Sequence, residues 1–576
     1  MADQGESKAI EGLDKLYEFD REPVSDDRLQ PGRYFAGVYA GEHTAGTEFV
    51  IGASFVMWGA AVMDVLWGLV IGNALAVLTW TFICAPIAVQ TRLTLYWYLR
   101  KIAGPAVTGI YNVVNAVLFC ILGGAMITVS ASAVRIPLNA LTPLDIPPST
   151  GWLPDNIWFV LTTIIVGAVV VTVAILGFKS LAKFASVCSP WMFLIFIAGG
   201  VAALPYLATQ SADVDAIASW GDFLAVSHEL IWTGEPAVEG EGLGFWHVVA
   251  FAWICNLAMH GGLSEMALLR YAKSHWYGLY SAFGMYLGHY LAWICAGIMG
   301  AVAAQVLQTP LIELDAGEVA WQAVGTAGVL AVVIAGWTTS NPTLYRAGLA
   351  FQAITPGWAR WKVTLVVGAV TTLIACSPFV FTQLLDFVGL YGLILVPIGA
   401  IVFTEHWIFP LIGYQRYWVS RKSLAFSWPA LASWALGLVA AYLLPLHLFF
   451  LFVPVSVITA VLYILFAGMA GAKETGLPPE PLETPRKTSG AEPQPASVFG
   501  GHEPLWWVAG AVALICLLVT LIVPIWVFWG GVEHFDERFA VMRTWLPPYA
   551  VVYFVTGTYW AVKRQKPEET EGEMGE

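Results

Sequence analysis

Residues 246–268 read WHVVAFAWICNLAMHGGLSEMAL. The run is long and apolar enough to cross a bilayer, which takes about 20 such residues. Its middle, NLAMHGG at 256–262, is not what a plain spanning helix carries. Two glycines and an asparagine at mid-depth allow a helix to open. Opened helices expose backbone groups only where they line a protein cavity, and in transporters such cavities hold ligands. The competing reading is close helix packing through small residues. Asn256 and His260 are four apart and share a face of an intact helix. His260 is either a ligand contact or a core histidine satisfied by its neighbours. Glu265, nearer the basic end of the span, reads as a structural partner of Arg270 or Lys273.

Working outward, a second interruption of this kind, Trp58-Gly59-Ala60-Ala61, falls five spans earlier. A five-plus-five inverted repeat places its two broken helices at that separation. Apolar runs mark spans at 47–64, 66–89, 106–134, 156–177, 185–207, 246–268, 278–307, 323–350, 361–380, 382–404, 427–445 and 447–470, with two more at 505–530 and 546–562. The chain therefore divides into a tail (1–46), a twelve-helix core (47–470), a polar proline-rich linker (471–504, including LPPEPLETPRKTSGAEPQP), two additional helices (505–562) and an acidic tail (563–576). The expected fold class is an all-α polytopic membrane protein.

Composition agrees with a lipid environment. Hydrophobic residues make up 58% of the 576 and charged residues 12%, against about 25% charged in soluble domains. The seven cysteines all fall in apolar segments without a CxxC pair and read as small buried hydrophobes. No nucleophile–base pair, metal cluster or nucleotide loop is evident, so an enzyme is not expected. The net charge of −13 resides in tails and outer loops and suggests no nucleic-acid partner. The expected partners are the lipid bilayer and a small-molecule substrate.

Orientation follows from the bases. With a cytoplasmic N-terminus and alternating spans, all but three of the 27 Lys+Arg lie inside, the exceptions being Arg135, Arg538 and Arg543. Outer loop 208–245 carries seven acids and no Lys or Arg. This obeys the positive-inside rule and places the chain as a multi-pass protein of the plasma (inner) membrane.

The eighth span reads AGWTTSNPTLYRAGLAFQAI from Ala335. Thr338 and Thr339 put adjacent hydroxyls at mid-membrane. Beside opened-helix carbonyls they would form an all-oxygen site for a small hard cation. Equally, buried threonines bond the carbonyl of the preceding turn. Asp64 reads as a solvated acid at the outer end of the first span, and His289 as a packed histidine.

WTTSNPTLYRAGLAFQAI (337–354) resembles the eighth helix of the purine–cytosine permeases, members of the nucleobase:cation symporter-1 family. DFVGLYGLILVPIGAIVFTEHW (386–407) is similar to the tenth helix, SLAFSWPALASWALGLVAAYLL (423–444) to the eleventh, and APIAVQTRLTLYWYLRKIAG (85–104) and SEMALLRYAKS (264–274) also fit. The resemblance covers roughly 45–470 and implies the leucine-transporter fold with helices 1 and 6 unwound at the substrate. It implies a sodium site from first-helix carbonyls, at Trp58 and Ala61, with the carbonyl of Ala335 and the hydroxyls of Thr338 and Thr339. It implies a solute site drawing on Trp58, Gly59, Gly123, Gly124, Trp253, Asn256, His260 and Ala335. Two positions depart from the family. Ala335 stands where cytosine-type members have a base-reading asparagine, and Leu122-Gly123-Gly124-Ala125 stands where an aromatic or glutamine is usual. A wider, less polar pocket than one for cytosine follows. The expected function is sodium-coupled symport of a nucleobase-like or related small organic solute by alternating access. Proton coupling through His260 or Glu265, and a non-cycling transceptor or sensor on the same fold, are the alternatives.

Overall fold

The computed structural model describes residues 18–148, 151–154, 156–237, 242–479 and 504–563. Most of the 471–504 linker and nearly all of the 563–576 tail lie outside the described residues, as does 1–17. Among the described residues the regular secondary structure is helical, apart from two isolated bridge pairs. Eight of its helices are individually long and apolar enough to cross a membrane.

The first span differs from the sequence expectation. It runs as two halves, α1a (Gly32–His43) and α1b (Glu48–Met57), separated at residues 44–47. Residues 32–43 were expected in the polar tail. Arg33, Glu42 and His43 interrupt the apolar run, but Glu42 and His43 are buried against protein rather than lipid, and hydropathy cannot see that. Trp58-Gly59-Ala60-Ala61 is consequently not a mid-helix break. It is the tight turn into α2, which runs from Val62 through a π-turn at Trp80–Cys84 to Thr91. Gly59 takes φ 67° there, and a Cβ would meet the Pro236 nitrogen at 2.3 Å. Asp64 sits in the first turn of α2.

α3 (Leu95–Leu141) is kinked at Gly104, where the loop at Ala425 takes the Ala106 amide at 3.0 Å. α4 (Ile157–Ile175) and α5 (Gly177–Gln210) follow. The outer loop forms a short helix, Trp220–Leu230, whose capping box holds Asp222; the Ser219 hydroxyl and the amides of Ala218 and Ser219 keep that carboxyl below its usual range. α6 is broken where expected. Phe245–Ile254 gives way at Cys255 and Asn256, a turn covers Leu257–His260, and a non-helical stretch with Leu263 at φ 63° precedes Met266–Leu269.

α7 comprises a π-helical segment, Phe283–Leu291, and Ala292–Leu307. α8 (Thr326–Ile354) and α9 (Arg360–Ala375) follow, then α10 from Leu384 through Thr404–Ile408 to Leu411. α11 (Trp428–Leu443) and α12 (Phe452–Met469) pair beside α10. α1, α2, α6 and α7 pack together, as do α3, α4, α8 and α9. α13 (Pro504–Trp529) and α14 (Phe535–Lys563) form a hairpin seated on α5. There the Tyr553 hydroxyl donates to the Val187 carbonyl at 2.6 Å and Arg543 donates to the Trp321 carbonyl at 3.0 Å.

Candidate functional site

The α1 break meets α8. Gly46 lies so close that a Cβ would stand 3.1 Å from the Val332 carbonyl and 3.0 Å from Val129 of α3. Two turns below Val332, the Thr339 hydroxyl reaches both the Glu42 carbonyl, at 2.8 Å, and the Ala335 carbonyl, at 3.0 Å. Thr338 also bonds the Ala335 carbonyl, at 3.0 Å, but its hydroxyl turns toward Met192 of α5. Ala335, Thr338 and Thr339 are thus brought together, and Thr339 bridges the two elements. The α1 carbonyl beside them belongs to Glu42. Trp58 and Ala61 are elsewhere, at the outer turn: the Trp58 carbonyl accepts the Leu243 amide, and Ala61 bridges to Thr233. The Trp58 ring packs on Phe251 and Phe449.

Three rings meet between the broken helices. His43 ends α1a, Trp80 lies in the π-turn of α2, and His260 lies in the α6 break. The Trp80 ring is 4.8 Å from His260 and 5.8 Å from His43. The His260 Nε2 is assigned to the Trp253 carbonyl at 2.9 Å. His43 Nε2, Trp80 Nε1 and His260 Nδ1 are buried and lack a hydrogen-bond partner among the described residues. Buried polar atoms are nearly always satisfied, so a cluster of exceptions calls for an explanation. Alongside, the Asn256 amide bonds the His289 Nε2 at 3.3 Å, His289 stacks on Trp293 at 4.2 Å, and the Trp293 indole donates to Glu48. His289 is therefore part of this polar wall rather than simply packed.

Other expected contacts are placed differently. Trp253 donates its indole N–H to Thr79 of α2 at 3.0 Å and packs on Phe452. Gly123 and Gly124 form a packing seam, since their Cβ positions would meet Thr371, Thr343 and Ile374 of α8 and α9 at 3.1–3.5 Å. Small residues there let α3 and α9 approach.

Below the site, toward the basic loops, the charges form a compact group. Arg346 of α8 holds both oxygens of Glu42, at 2.5 and 3.0 Å, and one oxygen of Glu265, at 2.6 Å. All three side chains are within 3% of full burial. Glu265 does not pair with Arg270. Arg270 instead donates to the carbonyls of Glu18 and Phe19 and to the Tyr345 hydroxyl. Sequence reasoning missed Glu42, His43, Glu48, Trp80 and Arg346. The available signal was the helical spacing of Tyr34, Phe35, Val38 and Tyr39 ahead of Glu42.

Two comparisons bear on this arrangement. A nucleobase-cation-symport-1 family transporter, in a closed conformation with bromovinylhydantoin bound, superposes with a TM-score of 0.60 at 18% identity, over 79% of this chain and 96% of its own. The chain has the fold of a nucleobase:cation symporter-1 transporter. The same transporter facing inward gives a TM-score of 0.57 at 17% identity, covering 78% and 93%. A sodium-coupled sialic acid symporter, substrate-bound and outward-open, gives 0.54 at 13% identity, covering 80% and 95%. Among curated proteins, the cytosine permease of Escherichia coli K12 is 25% identical over 120 residues, which is 20% of this chain and 27% of that protein's length. No protein-family profile matches the chain. The resemblance to the symporter-1 family thus rests on both comparisons, and the proteins it resembles are transporters, not enzymes. The architecture is the leucine-transporter one, with α13 and α14 added, and the chain is a multi-pass membrane protein.

Proposed function

We propose that this protein is a secondary active symporter that couples a cation, sodium, to uptake of a small organic solute by alternating access. The observation that carries this reading is Thr339, whose hydroxyl contacts an α1 carbonyl and an α8 carbonyl at once. Four oxygens, from Glu42, Ala335, Thr338 and Thr339, are the donor type a hard monovalent cation takes. An ion there would tie the bundle of α1, α2, α6 and α7 to that of α3, α4, α8 and α9. Coupling is then linkage: whatever sodium adds to solute affinity, solute adds to sodium affinity.

The solute site sits at the α1/α6 breaks, where His43, Trp80 and His260 offer unmet ring nitrogens and Asn256 lies adjacent. Two imidazoles and an indole suit a flat, hydrogen-bonding heterocycle. Cytosine permease as a relative and a hydantoin in a fold neighbour favour the nucleobase-like class. The N-terminus is cytoplasmic in this reading, because the basic loops then face inward.

The test is uptake into proteoliposomes with an inward sodium gradient, against choline. Sodium-dependent accumulation of a purine, pyrimidine or hydantoin, needing about ten-fold more sodium in Thr339→Ala, is expected. Equal uptake in choline, unaffected by the substitution, would overturn sodium coupling.

A second reading has one observation behind it. Glu42 and Glu265 share a single guanidinium, so the buried group carries two carboxyls for one fixed positive charge. A proton on one carboxyl would balance it. Uptake driven by a pH gradient without sodium, and lost in Glu265→Gln, would favour proton coupling.

A further inference from the structure

Between α1a, α5 and the C-terminal hairpin lies a cavity of about 970 Å³. Phe283 of α7 and Leu514 of α13, which border it on spanning helices, are 45% and 58% exposed, so the cavity reaches the surface of the helical bundle. Its depth is built from Gly37 and Ala40 of α1a, Pro190 of α5 and Leu517 of α13. The few polar atoms of these walls are already engaged. Ser186 donates to the Ala182 carbonyl at 2.7 Å, Ser189 to the Gly37 carbonyl at 3.1 Å, and Tyr553 to the Val187 carbonyl at 2.6 Å. A polar solute would find no partner in the depth, whereas an alkyl chain is matched there.

The rim is of another character. Arg33, in the first turn of α1a, and Lys183, in the second turn of α5, both border the cavity at the end of the bundle that carries the basic loops. Facing them, Trp506 at the start of α13 stacks on Trp560 near the end of α14, with ring centroids 5.3 Å apart. Tryptophans mark the headgroup level of a membrane. Basic residues bordering a pocket between spanning helices on that side are the pattern that recognises anionic headgroups.

We infer that this cavity is a seat for an anionic phospholipid of the leaflet on the basic-loop side. Its phosphate lies between Arg33 and Lys183, and an acyl chain runs inward between α5 and α13. The lipid completes the joint between the C-terminal hairpin and the half-helix α1a, which the hairpin does not cover by itself.

The experiment uses the full chain in mild detergent, titrated with phosphatidylglycerol or phosphatidylcholine and read by native mass spectrometry alongside thermal melting. Phosphatidylglycerol is expected to remain bound and raise the melting temperature, and phosphatidylcholine is not. Arg33→Gln with Lys183→Gln should weaken phosphatidylglycerol binding by roughly five-fold per cation removed. Should that pair fail to fold, Ala511→Trp is the independent variant. Ala511 borders the cavity at an exposed position, so the indole fills the seat without disturbing the core, and phosphatidylglycerol retention should be lost. Equal retention of the two lipids, or phosphatidylglycerol binding unchanged in the variants, overturns the inference. So does a cross-link from Ala511→Cys to the 480–503 linker that persists in saturating phosphatidylglycerol, since the chain itself would then occupy the seat.

Discussion

Arg346 on α8 grips the Glu42 carboxylate of α1a through both terminal nitrogens, at 2.5 and 3.0 Å, with neither side chain more than 3% exposed. The pair ties one bundle to the other just below the point where Thr339 bonds the Glu42 carbonyl. One residue of α1a therefore meets α8 twice, by its backbone above and its side chain below.

Removing the shared cation should be severe. Arg346→Ala leaves the Glu42 and Glu265 carboxyls buried without their counter-charge, which costs about 3–5 kcal/mol. Glu42→Ala leaves Arg346 paired with Glu265 and should cost less. Arg346→Ala should melt well below the parent in detergent, and thermal-unfolding measurements that found it as stable as the parent would contradict the buried ion group.

The two threonines should separate. Thr339 touches both helices, whereas Thr338 turns to Met192. Thr339→Ala should raise the sodium concentration for half-maximal uptake by about ten-fold or more, the loss of ~1–3 kcal/mol for one contact. Thr339→Ser should restore most of it, and Thr338→Ala should do less. Sodium titrations of uptake check the order, and equal effects at both positions would count against the assignment.

Gly46 and Gly59 test where the first span is broken. Gly46→Val inserts carbon against the Val332 carbonyl and Val129, pushing the α1 break off α8, so sodium dependence should weaken sharply. Gly59→Ala meets strain at φ 67°, costing on the order of 1–2 kcal/mol of stability, with sodium affinity retained in whatever protein folds. The opposite pattern would restore the break to the Trp58 region.

His260→Phe keeps a ring against Trp80 and Phe452 but removes both nitrogens. The KM for solute should rise about ten-fold, in line with ~1–3 kcal/mol for an unmet polar contact, while sodium affinity measured without solute stays near the parent's. An unchanged KM would remove the three-ring cluster from the solute site.

Much of this architecture was legible because lipid-facing helices announce themselves by apolar length. The α6 break was legible in part, since Asn256, His260 and two glycines at mid-depth favour an opened helix beside the competing reading of close packing. The α1 break was not. In α1a, Glu42 and His43 are buried by protein contacts from α8 and α7, so a scale that assumes lipid on all sides assigns the segment to a tail. The glycine-bearing turn at Trp58 then offered itself as the break. Gly123 and Gly124 pose a related difficulty. A small residue looks alike whether it opens a pocket or lets two helices touch, and only the atoms of Thr371 and Ile374 distinguish the two. Ala335, Thr338 and Thr339 lie together as the sequence places them because their relation is local, within one turn of one helix.

Arg270 has its own consequence. Its guanidinium fastens the backbone at residues 18 and 19 together with the Tyr345 phenol, so the segment ahead of α1a is strapped across the base of α6 and α8. A separation of α1a from α8 at that end would therefore have to give up these bonds or carry the strap along with one of the two helices.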